Sequence, residues 1–71
     1  MNFFIDFSNE KVKDLQLFVY NSIGQLVYTK LYKGQSPSLI EIPSLNFDQG
    51  TYRVSLSSLN GKTWSSLLVK L

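Results

Sequence analysis

Few side chains in this chain can move a proton, attack a carbon or hold a metal. It contains no His and no Cys, which removes imidazole and thiolate as catalysts and as ligands. The carboxylates are Asp6, Glu10, Asp14, Glu41 and Asp48. A general acid and base pair would need two of them facing each other across a cleft. Four of the five fall at expected strand ends or loops, and 71 residues can hardly wall a cleft. No acidic residues recur at the spacing of a calcium loop. Serines are abundant, yet no Gly-x-Ser-x-Gly occurs and no base accompanies any of them. The glycines are isolated and form no phosphate cradle. The residue types therefore predict no catalytic group, no metal and no cofactor.

Aromatic rings are the remaining candidates. Tyr20, Tyr28, Tyr32, Tyr52 and Trp64 could form a flat platform for sugar rings, or they could fill a core and cover a sheet face. Trp64 is the best platform candidate, because Thr63, Ser65 and Ser66 beside it are polar.

The elements that must position these groups alternate with period two. In Thr51 to Ser57, residues Tyr52, Val54 and Leu56 point one way, and Thr51, Arg53, Ser55 and Ser57 the other. A helix would scatter them, so the segment reads as a strand with one wet face. Asp14 to Tyr20 alternates likewise, with Leu15, Leu17 and Val19 on one side. Gln25 to Tyr32 sets Leu26, Tyr28 and Tyr32 against Val27, Thr29 and Leu31; being apolar on both faces, it is expected to be central or covered. Lys62 to Lys70 places Thr63, Ser65, Leu67, Val69 and Leu71 opposite Trp64 and Leu68. Asn2 to Phe7 and Ser38 to Ile42 complete six strands.

Turn residues separate them. Asn21-Ser22-Ile23-Gly24-Gln25 predicts a bulged hairpin loop, with Gly24 at positive φ. Asn60-Gly61 predicts a type I′ hairpin turn. Lys33 to Pro37 and Pro43-Ser44 read as loops, Asn9 to Lys13 as a charged loop, and Phe47 to Gly50 as a turn into the Tyr52 strand. Consecutive hairpins at this spacing predict an all-β sandwich or small barrel.

Seven Lys/Arg and five Asp/Glu leave a net charge of +2. The basic residues are scattered, as on a solvated sheet, whereas a nucleic-acid footprint would cluster them. Every apolar run is broken within a few positions, so no transmembrane span is expected. The N-terminus lacks the basic and long apolar regions of a signal peptide, so an exported form would be a fragment of a longer precursor.

The order of these motifs carries a resemblance. Leu17-x-Val19-Tyr20-Asn21-x-x-Gly24-Gln25-x-Val27 is followed by Ile40-x-Ile42 and Leu45. Then come Gly50-Thr51-Tyr52-x-Val54, a short hairpin, and Leu68-Val69-Lys70-Leu71. From Asp14 to Leu71 this is similar to the C-terminal sorting domain of type IX (Por) secretion cargo, type A. Two departures stand out. The family usually opens with an Asn-Pro segment, whereas this chain begins Met1-Asn2-Phe3, as a domain trimmed from its precursor with an added Met would. Four residues, Asn46 to Gln49, separate Leu45 from Gly50, slightly more than is common.

The resemblance implies an immunoglobulin-like antiparallel β-sandwich of six to seven strands. Residues 1–71 would form a single C-terminal sorting domain behind a larger cargo protein. It implies recognition by the outer-membrane type IX machinery of Bacteroidetes, then cleavage by its processing or attachment enzyme. The cargo would travel through the periplasm and end secreted or on the cell surface. A terminal edge strand can be extended by a partner's backbone, which makes Leu67, Leu68, Val69, Lys70 and Leu71 the expected recognition segment. Tyr20, Asn21, Gly24, Gln25, Gly50, Tyr52, Asn60 and Gly61 would be motif and turn scaffold. Without the family's opening segment a sheet edge would be bare, which allows two copies to pair along it. A carbohydrate-binding or adhesive β-sandwich is the alternative reading, and a spacer domain of an extracellular enzyme a third.

Overall fold

The computed structural model describes residues 2–43 and 47–71. Met1, Ser44, Leu45 and Asn46 lie outside them, and with them the leucine of the Leu-to-Gly spacing. Six antiparallel strands run in chain order: β1 (Asn2–Asp6), β2 (Leu15–Tyr20), β3 (Leu26–Tyr32), β4 (Leu39–Pro43), β5 (Gly50–Ser58) and β6 (Thr63–Lys70). They form a four-stranded sheet in the order β3-β2-β5-β6 and a two-stranded sheet of β1 and β4. No helix occurs among the described residues. The all-β expectation holds, with small boundary shifts. Pro43 ends β4 opposite Asn2 rather than opening a loop.

Alternation builds the core. Leu15, Leu17 and Val19 of β2 and Tyr52, Val54 and Leu56 of β5 turn inward. Ile40 and Ile42 of β4 meet them from the smaller sheet, and Phe7 and Tyr32 complete the buried set. Leu15, Leu17, Val19 and Ile40 are fully buried. Each such side chain contributes about 2 kcal/mol relative to exposure. The two sheets thus share one sandwich core, partly covered by Phe3, Ile5, Tyr28, Trp64 and Leu68.

β3 departs from the expectation of a central or covered strand: it lies at the sheet edge. Its pairing shifts between Val19, opposite Tyr28, and Tyr20, opposite Leu26. Val27 is the extra residue of a β-bulge, so Leu26 moves to the face opposite Tyr28 and Tyr32. That is why Leu26 is exposed while Tyr32 is buried.

The two hairpins share one geometry. In the first, Gly24 N–H donates to the Asn21 carbonyl at 3.0 Å and Asn21 N–H to the Gln25 carbonyl at 2.9 Å. In the second, Gly61 N–H donates to the Ser58 carbonyl at 3.1 Å and Ser58 N–H to the Lys62 carbonyl at 2.9 Å. Gly24 and Gly61 have φ of 86° and 95°. These are three-residue loops, a turn closed by a left-handed glycine bulge. The type I′ expectation for Asn60-Gly61 is therefore corrected, since Asn60 is not among the residues with positive φ.

Candidate functional site

Register decides which motif residues meet. Tyr20 stands opposite Leu26 on one side and Arg53 on the other, and Arg53 stands opposite Leu67. This row crosses the outer face of the large sheet, with the Arg53 guanidinium 5.2 Å from the Tyr20 ring centroid. Phe18 stacks with Tyr20, their centroids 6.3 Å apart. Gly50 opens β5 opposite Lys70. Tyr20, Asn21, Gly24, Gln25, Gly50 and Tyr52 therefore gather at the end of the sandwich where β6 finishes. A hollow of about 330 Å³ there is lined by Tyr20, Asn21, Thr51, Arg53 and Leu67 among others. Asn60 and Gly61 form the hairpin at the opposite end.

Asn21 organises its loop. Its Oδ1 accepts from the Ile23 N–H at 3.1 Å and the Gln25 N–H at 2.9 Å, and its Nδ2 donates to Gln25 Oε1 at 3.0 Å. An Asx turn of this kind needs a short side-chain acceptor at the loop's first position. It gives the Tyr-Asn-x-x-Gly-Gln order a local physical basis.

Tyr52 is buried, stacks on Phe47 at 4.8 Å, and donates its hydroxyl to the Asp48 carbonyl at 2.7 Å. Such a tyrosine corner pins the chain where it enters a strand. Sequence reasoning placed Tyr52 in the core but missed the hydrogen bond. The only signal for it was a Tyr two residues after the turn glycine.

The five C-terminal residues do not share one face. Leu67 and Val69 lie on the outer face, Leu68 packs inward against the core, and Leu71 projects beyond the strand. Among the described residues β6 is an edge, paired only with β5. The Ser58–Lys62 hydrogen bond fixes the alternation of the ladder, in which every second pair exchanges bonds. Residues 64, 66, 68 and 70 bond to β5, while the N–H and C=O groups of Thr63, Ser65, Leu67 and Val69 point away from it.

The aromatic platform does not form. Trp64 turns inward and meets Phe7 edge to face, with centroids 5.0 Å apart and planes at 78°. Tyr32 and Tyr52 are buried, and Arg53 lies against Tyr20. Among the described residues no three carboxylates gather where they could hold a metal. The Asp6 carboxyl is held below its ordinary range because the Ser8 N–H and hydroxyl both donate to it, at 3.0 and 2.7 Å.

Fold and site define a small β-sandwich module whose ordered features are turns, an edge strand and one motif-rich end. The family model of the secretion system C-terminal sorting domain matches residues 1–70, and the chain belongs to that family. It is a type IX secretion sorting domain, non-catalytic, which directs a cargo protein into secretion. Membership implies interaction with the type IX machinery and with an N-terminal cargo, and passage across the outer membrane or to the surface. No curated protein and no solved structure matches the chain.

Proposed function

We propose that the export machinery recognises this domain through its C-terminal strand, with Leu67, Leu68, Val69, Lys70 and Leu71 as the handle. The observation that carries this reading is the edge position of β6, which directs backbone groups of Thr63, Ser65, Leu67 and Val69 away from its own sheet. A partner strand can pair with such an edge by β-augmentation. Lys70 adds a positive charge to the segment. Tyr20, Asn21, Gly24, Gln25, Gly50 and Tyr52 act as scaffold holding the adjoining turns, and Asn60 and Gly61 hold the far hairpin. Residues 1–71 then serve as a single sorting domain of a longer precursor, and cleavage by the processing enzyme releases the cargo or fixes it to the surface. Pairing of two copies along a bare edge accompanies concentrated solution.

The test fuses residues 1–71 to a reporter with a signal peptide in a host with type IX secretion. Export of the reporter, and its loss on removal of Val69-Lys70-Leu71 with the reporter still folded, supports the handle. A reporter retained in the periplasm, or export unchanged by the deletion, refutes it. The sugar-binding reading is disfavoured by the inward Trp64.

A further inference from the structure

The open edge of β6 does not face bare solvent along its whole length. It runs beside β1, and the two sheets part there to leave a seam. Two adjoining hollows of about 220 and about 230 Å³ lie along it. Phe3 and Ile5 of β1 form one wall, Trp64 and Leu68 of β6 the other, and Val54 lies in the floor of both hollows. Between the two large β6 side chains sits Ser66, small and exposed, which leaves a notch in the wall. The edge backbone groups from Thr63 to Val69 span about 20 Å at strand rise. Asp6 and Glu10 line the hollow at the Trp64 end, and among the described residues no basic residue lines either hollow.

We infer that the seam receives one extended strand of a partner polypeptide, about seven residues long, with apolar side chains at alternate positions and a basic residue at the end nearest Trp64. This deepens the reading of β6 as the recognised strand and rests on it. Backbone pairing with the edge requires an extended guest. Pairing also turns every second guest side chain toward Val54 and Ile5, where only apolar groups avoid stranding a buried polar atom. The remaining side chains face solvent and are polar. The Asp6 carboxylate, which accepts from the Ser8 N–H and hydroxyl, and that of Glu10 set a negative end that selects Lys or Arg. Guest insertion extends the large sheet to five strands and covers the seam.

The probes are the capped peptides Lys-Val-Ser-Val-Thr-Val-Ser and its reverse, which put the base at either chain end. Titrated into the 15N-labelled chain, one of them is expected to shift the amides of Thr63, Ser65, Leu67 and Val69 and slow their hydrogen exchange. A Glu-for-Lys probe is expected to bind up to about fivefold more weakly. A probe with its valines made consecutive is expected not to bind. Ser66→Trp fills the notch and is expected to abolish binding. Backbone N-methylation at Leu67, whose N–H points away from β5, is expected to do so with the fold retained. Shifts confined to the β3 edge, no shifts at all, self-association in place of peptide binding, or binding indifferent to both changes would overturn the seam. In the export assay, a wild-type reporter that stays in the periplasm overturns the handle reading, while the titration still decides the seam. Wild-type export that Ser66→Trp leaves unchanged, in a folded variant, overturns the seam and spares the handle.

Discussion

The hydroxyl of Tyr52 donates to the carbonyl of Asp48 at 2.7 Å, four residues upstream. The bond turns a core side chain into a clamp on the loop that leads into β5. Because β5 pairs with both β2 and β6, the clamp fixes the strand on which the C-terminal edge depends.

Tyr52→Phe keeps the stacked ring on Phe47 and removes only this bond. A loss of about 1 kcal/mol is expected, as for one hydrogen bond to a carbonyl that water can reach. The urea midpoint should fall with an unchanged slope. Tyr52→Leu, which also removes the stacking, should cost more.

Asn21→Ala leaves the Ile23 and Gln25 N–H groups without their side-chain acceptor. The expected loss is about 1 kcal/mol, and Asn21→Asp should recover most of it because the acceptor returns. Thermal melts of the three chains provide the comparison.

Gly24 and Gly61 differ from other residues only in backbone conformation, since a Cβ at either would meet nothing within 4 Å. Replacement by L-Ala should cost about 1 kcal/mol at each site, the penalty of left-handed backbone. D-Ala in a synthetic chain should be neutral or stabilising, because it favours the same φ. A destabilising D-Ala would show that something other than φ requires glycine.

Tyr32 contributes to a fall of stability in alkali. Burial, then the negative charges of Tyr28 and Glu41, raise its hydroxyl above the ordinary 10.0. A raised folded value means the contribution is complete below pH about 10 and is lost as pH rises from there through the folded value. Stability measured against pH should fall across that window. Tyr32→Phe should flatten the part of the fall that Tyr32 causes.

Ile40 joins the small sheet to the large one and is fully buried. Ile40→Ala should cost about 3 kcal/mol. A domain of this size without disulfides has little more than that to lose. Circular dichroism at 37 °C should show a largely unfolded chain, whereas Leu71→Ala at the exposed end should melt as the wild type does.

Much of this fold is legible in local pattern. Tyr52, Val54 and Leu56 had to share a face because side chains alternate along any strand, and all three are buried. The glycine of the first hairpin was equally readable, since a three-residue loop requires a left-handed position. β3 departs from its local pattern twice, and its edge position is set by strand order rather than by its own residues. The bulge at Val27 moves Leu26 across the sheet, and a bulge is a property of pairing that one strand's sequence does not display. Asn-Gly pointed to a two-residue turn at residues 60 and 61. The observed loop is longer by one, because Ser58 pairs with Lys62 and takes Leu59 into the turn.

By itself the sequence determined what this chain is built from. It offers neither imidazole nor thiolate, and its period of two demanded strands. The motif order was enough to indicate the family. Only the tertiary structure decided that Tyr20, Arg53 and Leu67, far apart in the chain, stand in one row, and that β6 is an edge beside a seam. Those facts come from strand order and register. Non-local backbone hydrogen bonds and a shared core select these, and the same alternating segments could in principle pair in other orders.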